Sequence, residues 1–146
     1  MKKKVLFIGV RNSARSQMAE AFFNRFCEEE FEAYSAGLDP GILHPVTIEV
    51  MQEIGVDISG HKTRTIFDMF RSGRSFIHVV TIHDQTSSQR APIFPGVTNR
   101  HQWDIPDPQL QRGSYEEKLA RAREARDLLR ARIEEWCAEL SPAAMA

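Results

Sequence analysis

The sequence predicts an α/β fold: a single three-layer domain over residues 1–146, with a four-stranded parallel sheet and helices on both faces. Three observations point there. Val5–Ile8 and Phe76–Ile82 are short runs that are apolar on both faces apart from His78 and Thr81, as strands in the middle of a parallel sheet should be. Other stretches repeat apolar residues with the period of a helix lying on a sheet. The two kinds of segment alternate, which makes the sheet parallel and its crossovers right-handed.

In chain order, Val5–Ile8 is too short and too rich in β-branched and aromatic residues to favour a helix. From Ser16, Met18, Phe22 and Phe26 recur at i, i+4 with Ala19 and Phe23 alongside, and the acidic run Glu28-Glu29-Glu30 ends that helix. Phe31–Ala36 alternates as a short strand broken by Gly37, and Asp39-Pro40-Gly41 makes a turn. His44-Pro45 precedes a helix carrying Val46, Val50, Met51 and Ile54, stopped by Gly55. Ile66, Phe67, Met69 and Phe70 mark another short helix, closed near Gly73. After the strand Phe76–Ile82, His83 to Gly96 reads as a long loop, and loops of that length in compact domains are usually functional. Thr98–Trp103 forms a fourth, edge strand ended by Pro106 and Pro108. Ser114 and Glu117 set a capping box for a helix running to about Leu140, with Leu119, Ala122, Ala125, Leu129, Ile133, Trp136 and Leu140 on one face.

With 146 residues the chain can bury roughly 70% of its unfolded surface without staples. A formal charge of −1, with 27% charged residues, gives no reason to expect nucleic acid or an anionic membrane as partner, and the arginines of the last helix, interleaved with glutamates, read as a solvated face. The lysines after Met1 precede an apolar run too short for a signal peptide, and no stretch approaches membrane-spanning length, so a cytoplasmic protein is expected. Two cysteines, Cys27 and Cys137, do not make a disulfide framework, and both are expected to be structural thiols.

The stretch from Gly9 to Ser16 joins the first strand's carboxyl end to the first helix's amino end. Unpaired backbone N–H groups and the positive end of the helix dipole converge there and favour an anion. Arg15 adds a planar fork suited to a tetrahedral oxyanion, so Gly9, Val10, Arg11, Asn12, Ser13, Ala14, Arg15 and Ser16 read as a cradle for phosphate, arsenate or sulfate, free or on a phosphorylated partner.

In Asn12-Ser13-x-Arg15-Ser16-Gln17-Met18-Ala19-Glu20 the chain resembles the low-molecular-weight protein tyrosine phosphatases, and more closely the thioredoxin-coupled arsenate reductases. The similarity continues, in the family's order, through Ser35-Ala36-Gly37-Leu38, Asp57-Ile58-Ser59-Gly60-His61, Phe94-Pro95-Gly96 and Trp103-Asp104-Ile105-Pro106-Asp107-Pro108. It implies a flavodoxin-like sheet with the site beyond the strands' carboxyl ends. It also implies a cysteine nucleophile at the position held here by Gly9, an oxyanion-holding Arg15 and a general acid at Asp107. The second loop cysteine corresponds to Ala14, and the further redox cysteines to His83 and approximately Ala91. Glu20 and Ser35 match residues that help hold potassium in some reductases, while Arg64 stands where those proteins have an acidic ligand.

Gly9 cannot form a covalent intermediate. The resulting expectation is a non-catalytic oxyanion- or phosphoryl-binding member of the family, without cofactor. The alternatives are an active phosphatase or arsenate reductase in which His83 accepts the phosphoryl group or acts as base, and an interaction scaffold with a vestigial loop. His44, His61, His78 and His101 show no ligand spacing, and no metal is expected.

Overall fold

The computed structural model describes residues 2–9, 11, 14–39, 41–83 and 99–140. Within them four strands form one parallel sheet in the order β2-β1-β3-β4: β1 Lys3–Gly9, β2 Phe31–Gly37, β3 His78–His83 and β4 Asn99–Asp104. The helices are α1 Arg15–Phe26, α2 Pro45–Gln52, α3 Ile66–Arg71 and α4 Tyr115–Leu140. The fold class read from the sequence is the one observed, with β1 and β3 central and β4 at an edge. β3 begins at His78 rather than Phe76; Ile77 N–H donates to Lys4 O at the sheet's entrance, and Phe76 is buried in the core below α3. Thr98, expected to open β4, and most of the expected loop after His83 lie outside the described residues.

Local chemistry accounts for the helix ends. His44 Nδ1 accepts from Val46 N–H at 3.2 Å with Pro45 in the first turn, and Thr65 Oγ1 accepts from Asp68 N–H at 2.9 Å. Ser114 and Glu117 form the reciprocal box, Glu117 N–H donating to Ser114 Oγ at 3.2 Å and Ser114 N–H to Glu117 Oε1 at 3.1 Å. Gly55, at φ +79°, stops the turn after α2 in a conformation that costs a side-chain-bearing residue energy.

Two apolar layers flank the sheet. The larger lies under α1, α2 and α4, and is centred on Trp136, whose ring meets those of Phe7, Phe23 and Trp103 at centroid separations of 6.3, 5.3 and 5.3 Å. The smaller, with Leu6, Ile8, Ile66, Met69, Phe76 and Val79, lies under α3.

Two expectations are corrected. Cys27 and Cys137 are not separate thiols but a disulfide: Cys27 caps α1, Cys137 sits in the last turns of α4, and side-by-side packing of these helices brings the Cα atoms to 5.8 Å, within bridging range. The arginines of α4 are not all a solvated face either. Arg126 is 8% exposed, and its Nη1 donates to Val50 O at 2.8 Å and to Glu53 Oε1 at 2.7 Å across the α2–α4 contact.

Candidate oxyanion site

All four strands end at one pole, on Gly9, Gly37, His83 and Asp104, and the residues singled out from the sequence gather around those ends. Leu38 N–H donates to Gly9 O at 3.2 Å, so the chain leaving β2 is tied to the start of the turn. Arg15 opens α1, and its Nη1 donates to Ile105 O at 2.7 Å. Ile105 N–H in turn donates to His83 O at 2.8 Å. These two bonds chain Arg15, the end of β3 and the segment leading to Asp107 into one frame. Val10, Asn12 and Ser13 lie outside the described residues.

Ser16 is 1% exposed, and a Cβ built on Gly9 would stand 3.1 Å from its Oγ. The side chain that Gly9 lacks would therefore point at the Ser16 hydroxyl, beside the amino end of α1. Arg11 is held in an ion pair. Its Nη1 pairs with Asp39 Oδ2 at 3.1 Å, and its carbonyl accepts from Gly41 N–H at 2.8 Å. The guanidinium lies 2.9 Å from where a Cβ at residue 41 would be, so glycine there lets it pack against the backbone.

Asp107 is exposed and takes part in a turn, its Oδ1 accepting from Gln109 N–H at 2.9 Å. Gln109 adopts φ +50°, a left-handed conformation that the surroundings must hold. Arg121 of α4 does so: Nε donates to Pro108 O at 2.7 Å, and Nη2 to Gln109 O at 3.0 Å and to Arg112 O. Sequence reasoning missed Asp39, Ile105 and Arg121. Two of the three act through backbone or long-range contacts that leave no local pattern, and Asp39-Pro40-Gly41 signals only a turn.

Beside the site, Glu20 and Gln17 are buried on α1. Glu20 Oε1 is 3.3 Å from Arg64 Nη1 and its Oε2 3.2 Å from His61 Nδ1, which also lies 3.2 Å from Gln17 Oε1. Two acceptors on one ring nitrogen place the proton on Nδ1. Gln17 Nε2 donates to Lys62 O at 3.2 Å. Ser35 Oγ is buried without a hydrogen-bond partner among the described residues. The residue set does not fit the potassium ion that the resemblance raises, because the Glu20 carboxylate already faces a guanidinium.

The remaining histidines are placed by packing. His78 Nδ1 and His101 Nε2 lie 3.0 Å apart at the opposite pole, both rings against Trp136. Burial lowers the pKa of each, assisted at His78 by His101 and Lys3 and at His101 by Arg132. Burial and Lys118 also lower that of His44. Among the described residues no group of three or more His, Cys, Asp or Glu side chains is arranged to hold a metal ion.

This sheet order, with the candidate residues gathered where β1 passes into α1, defines a doubly wound α/β protein, a class in which ligands bind beyond the carboxyl edge of the sheet. The chain belongs to the low molecular weight phosphotyrosine protein phosphatase family, which it matches over residues 4–144. It is 33% identical over 135 residues to an arsenate reductase of Shouchella clausii, covering 92% of this chain and 95% of that protein. Against an arsenate reductase of Bacillus subtilis the identity is 32% over 134 residues, 92% and 94% of the two chains. Among solved structures, an arsenate reductase in the phosphate binding state superposes with a TM-score of 0.77 at 30% identity, covering 94% of this chain and 98% of that one. The low molecular weight protein tyrosine phosphatase of T. tengcongensis shares the fold with a TM-score of 0.71, at 22% identity and with 94% and 99% covered.

Proposed function

We propose that this chain binds an oxyanion, as inorganic phosphate, arsenate or sulfate or as a phosphoryl group on a partner, without the covalent chemistry of its family. The observation that carries the reading is at Gly9, where the backbone ends β1 against the buried Ser16 hydroxyl with no side chain to attack a phosphorus or arsenic centre. The anion-favouring features do not depend on that side chain: the amino end of α1, the Ser16 hydroxyl and the Arg15 fork hung on Ile105 O. A related arsenate reductase solved in a phosphate binding state supports the ligand class. Asp107 keeps the family's acid position, and its turn is held by Arg121.

Isothermal titration with phosphate and with arsenate tests the proposal. Saturable binding is expected, with Arg15→Ala weakening it by about tenfold or more, as loss of a charge-assisted fork implies. Absence of heat with either anion refutes it. A rival enzymatic reading rests on His83, which ends β3 with its carbonyl bonded to the segment leading to Asp107. It requires turnover of an aryl phosphate or of arsenate that disappears in His83→Gln.

A further inference from the structure

The thin face of the molecule, where α3 covers the smaller apolar layer, carries an unusual surface. Ile66 and Met69 point into the sheet, whereas Phe67 and Phe70, three positions apart on the outer side, are 65% and 52% exposed. Covering the exposed part of each ring would hide roughly 100 Å², about half to two thirds of what an aromatic side chain buries in full. From His61 to Ser75 the chain carries Lys62, Arg64, Arg71 and Arg74 against Asp68 alone, in a protein whose formal charge is −1. Three of these cations rest on aromatic rings. Arg71 lies 5.5 Å from the Phe67 centroid, and Arg74 and Arg64 lie 4.8 and 5.9 Å from that of Tyr34. Arg64 is committed to Glu20, but no carboxylate among the described residues lies within ion-pair distance of Arg71 or Arg74. A guanidinium stacked on a ring is oriented in advance and presents its remaining N–H groups to a carboxylate; Arg74 also hydrogen-bonds the Tyr34 hydroxyl, whereas Arg71 rests on Phe67 alone among the contacts described.

We propose that α3 and the turn following it form a docking surface for an acidic peptide segment of a partner protein, seating an apolar side chain against Phe67 and Phe70 and its carboxylates on Arg71 and Arg74. Charge complementarity names the occupant, and the exposed rings supply the apolar anchor that a purely ionic contact lacks. A flat anionic membrane fits less well, since it would meet Glu32, hydrogen-bonded to the Tyr34 hydroxyl, and Asp68 together with the arginines, whereas a peptide segment can set its carboxylates on Arg71 and Arg74 alone. Single-stranded nucleic acid needs free ring faces in succession, and Arg71 already covers one face of Phe67. None of Phe67, Phe70, Arg71 and Arg74 is among the residues of the oxyanion site, so the proposal stands whether or not that site binds its ligand.

Randomised peptides displayed on phage, selected on the intact protein, test it. Enrichment of sequences with Asp or Glu flanking an aromatic or aliphatic residue is expected. A labelled copy of an enriched peptide should bind saturably in fluorescence anisotropy and weaken as salt rises. Phe67→Ser with Phe70→Ser, and separately Arg71→Glu with Arg74→Glu, should each weaken it by about tenfold or more. All four positions are exposed, and an unchanged circular dichroism spectrum excludes misfolding. Failure to enrich acidic sequences, indifference to both double variants, or tighter binding to an RNA oligomer or to phosphatidylserine vesicles than to the peptide overturns the proposal.

Discussion

Glu53, at the end of α2, is a carboxylate held by two guanidinium groups. Arg123 forks onto it, Nε at 3.0 Å from Oε1 and Nη2 at 2.6 Å from Oε2, and the buried Arg126 reaches Oε1 at 2.7 Å. These hydrogen bonds, led by that from Arg123, lower its pKa from 4.5 to about 2 despite the opposing effect of burial. Fully expressed, that difference is worth about 3 kcal/mol. With 32% of the Glu53 side chain in solvent, about 1–2 kcal/mol is retained. Because the folded pKa is depressed, this stability is complete above about pH 4.5 and is lost as pH falls towards about 2. Urea denaturation of Glu53→Gln at neutral pH should show that loss, and thermal melting a fall of about 3–6 °C. The gap from wild type should close between about pH 4.5 and pH 2. A gap of the same size at both ends of that range would assign the effect to packing and refute the electrostatic account.

The Cys27–Cys137 bond spans 110 residues, and removing it by reduction or by Cys27→Ser with Cys137→Ser should cost up to about 4–5 kcal/mol in the loop-entropy description. Urea midpoints that are identical with and without a dithiol reductant would show that the bridge contributes nothing. At the His78–His101 pair, pKa values held below the ordinary imidazole value mean that folding favours the neutral rings. That contribution is present above about pH 6.5 and is lost as pH falls below it, so His101→Gln should flatten the decline in stability between about pH 6.5 and pH 5. A decline as steep in the variant as in wild type would count against this assignment.

What could be read from the sequence was whatever periodicity or position along a strand determines. The two-sided apolar runs located β1 and β3, the i, i+4 repeats located α1 and α4, and the rule that parallel sheets bind ligands at their carboxyl edge brought Gly9, Arg15, His83 and Asp107 to one pole. What depends on helices meeting across the core left weaker traces. Cys27 and Cys137 end helices distant in sequence, and nothing local distinguishes a bonded pair from two buried thiols. Arg126 did carry a signal, since it lies four residues after Ala122 and three before Leu129, inside the arc that faces the core. Asp107 was legible through resemblance alone, and its positioning by Arg121 required the fold.

Adding a side chain at Gly9 separates the functional readings more sharply than deleting anything. Gly9 is not in the left-handed region, so its backbone accepts an L-residue, and the added Cβ must ease Ser16 Oγ aside from 3.1 Å. Gly9→Ala carries that crowding alone; reduced freedom of the unfolded chain offsets it, and a net change within about 1 kcal/mol is expected. Gly9→Cys adds a thiol beside the Ser16 hydroxyl and the amino end of α1, both of which favour its ionised form. Two consequences follow with opposite sign. A thiolate about 4 Å from a bound dianion opposes it by up to about 4 kcal/mol per charge at an effective dielectric of 20, so phosphate should bind Gly9→Cys more weakly than Gly9→Ala. If Arg15 and Asp107 stand in working positions, the same variant should hydrolyse p-nitrophenyl phosphate, and Asp107→Asn in that background should slow it by about 100-fold or more. Weakened binding without turnover would mean that the cradle persists while the acid is misplaced. Unaltered phosphate binding would place the anion elsewhere and remove the basis for reading this turn as its site.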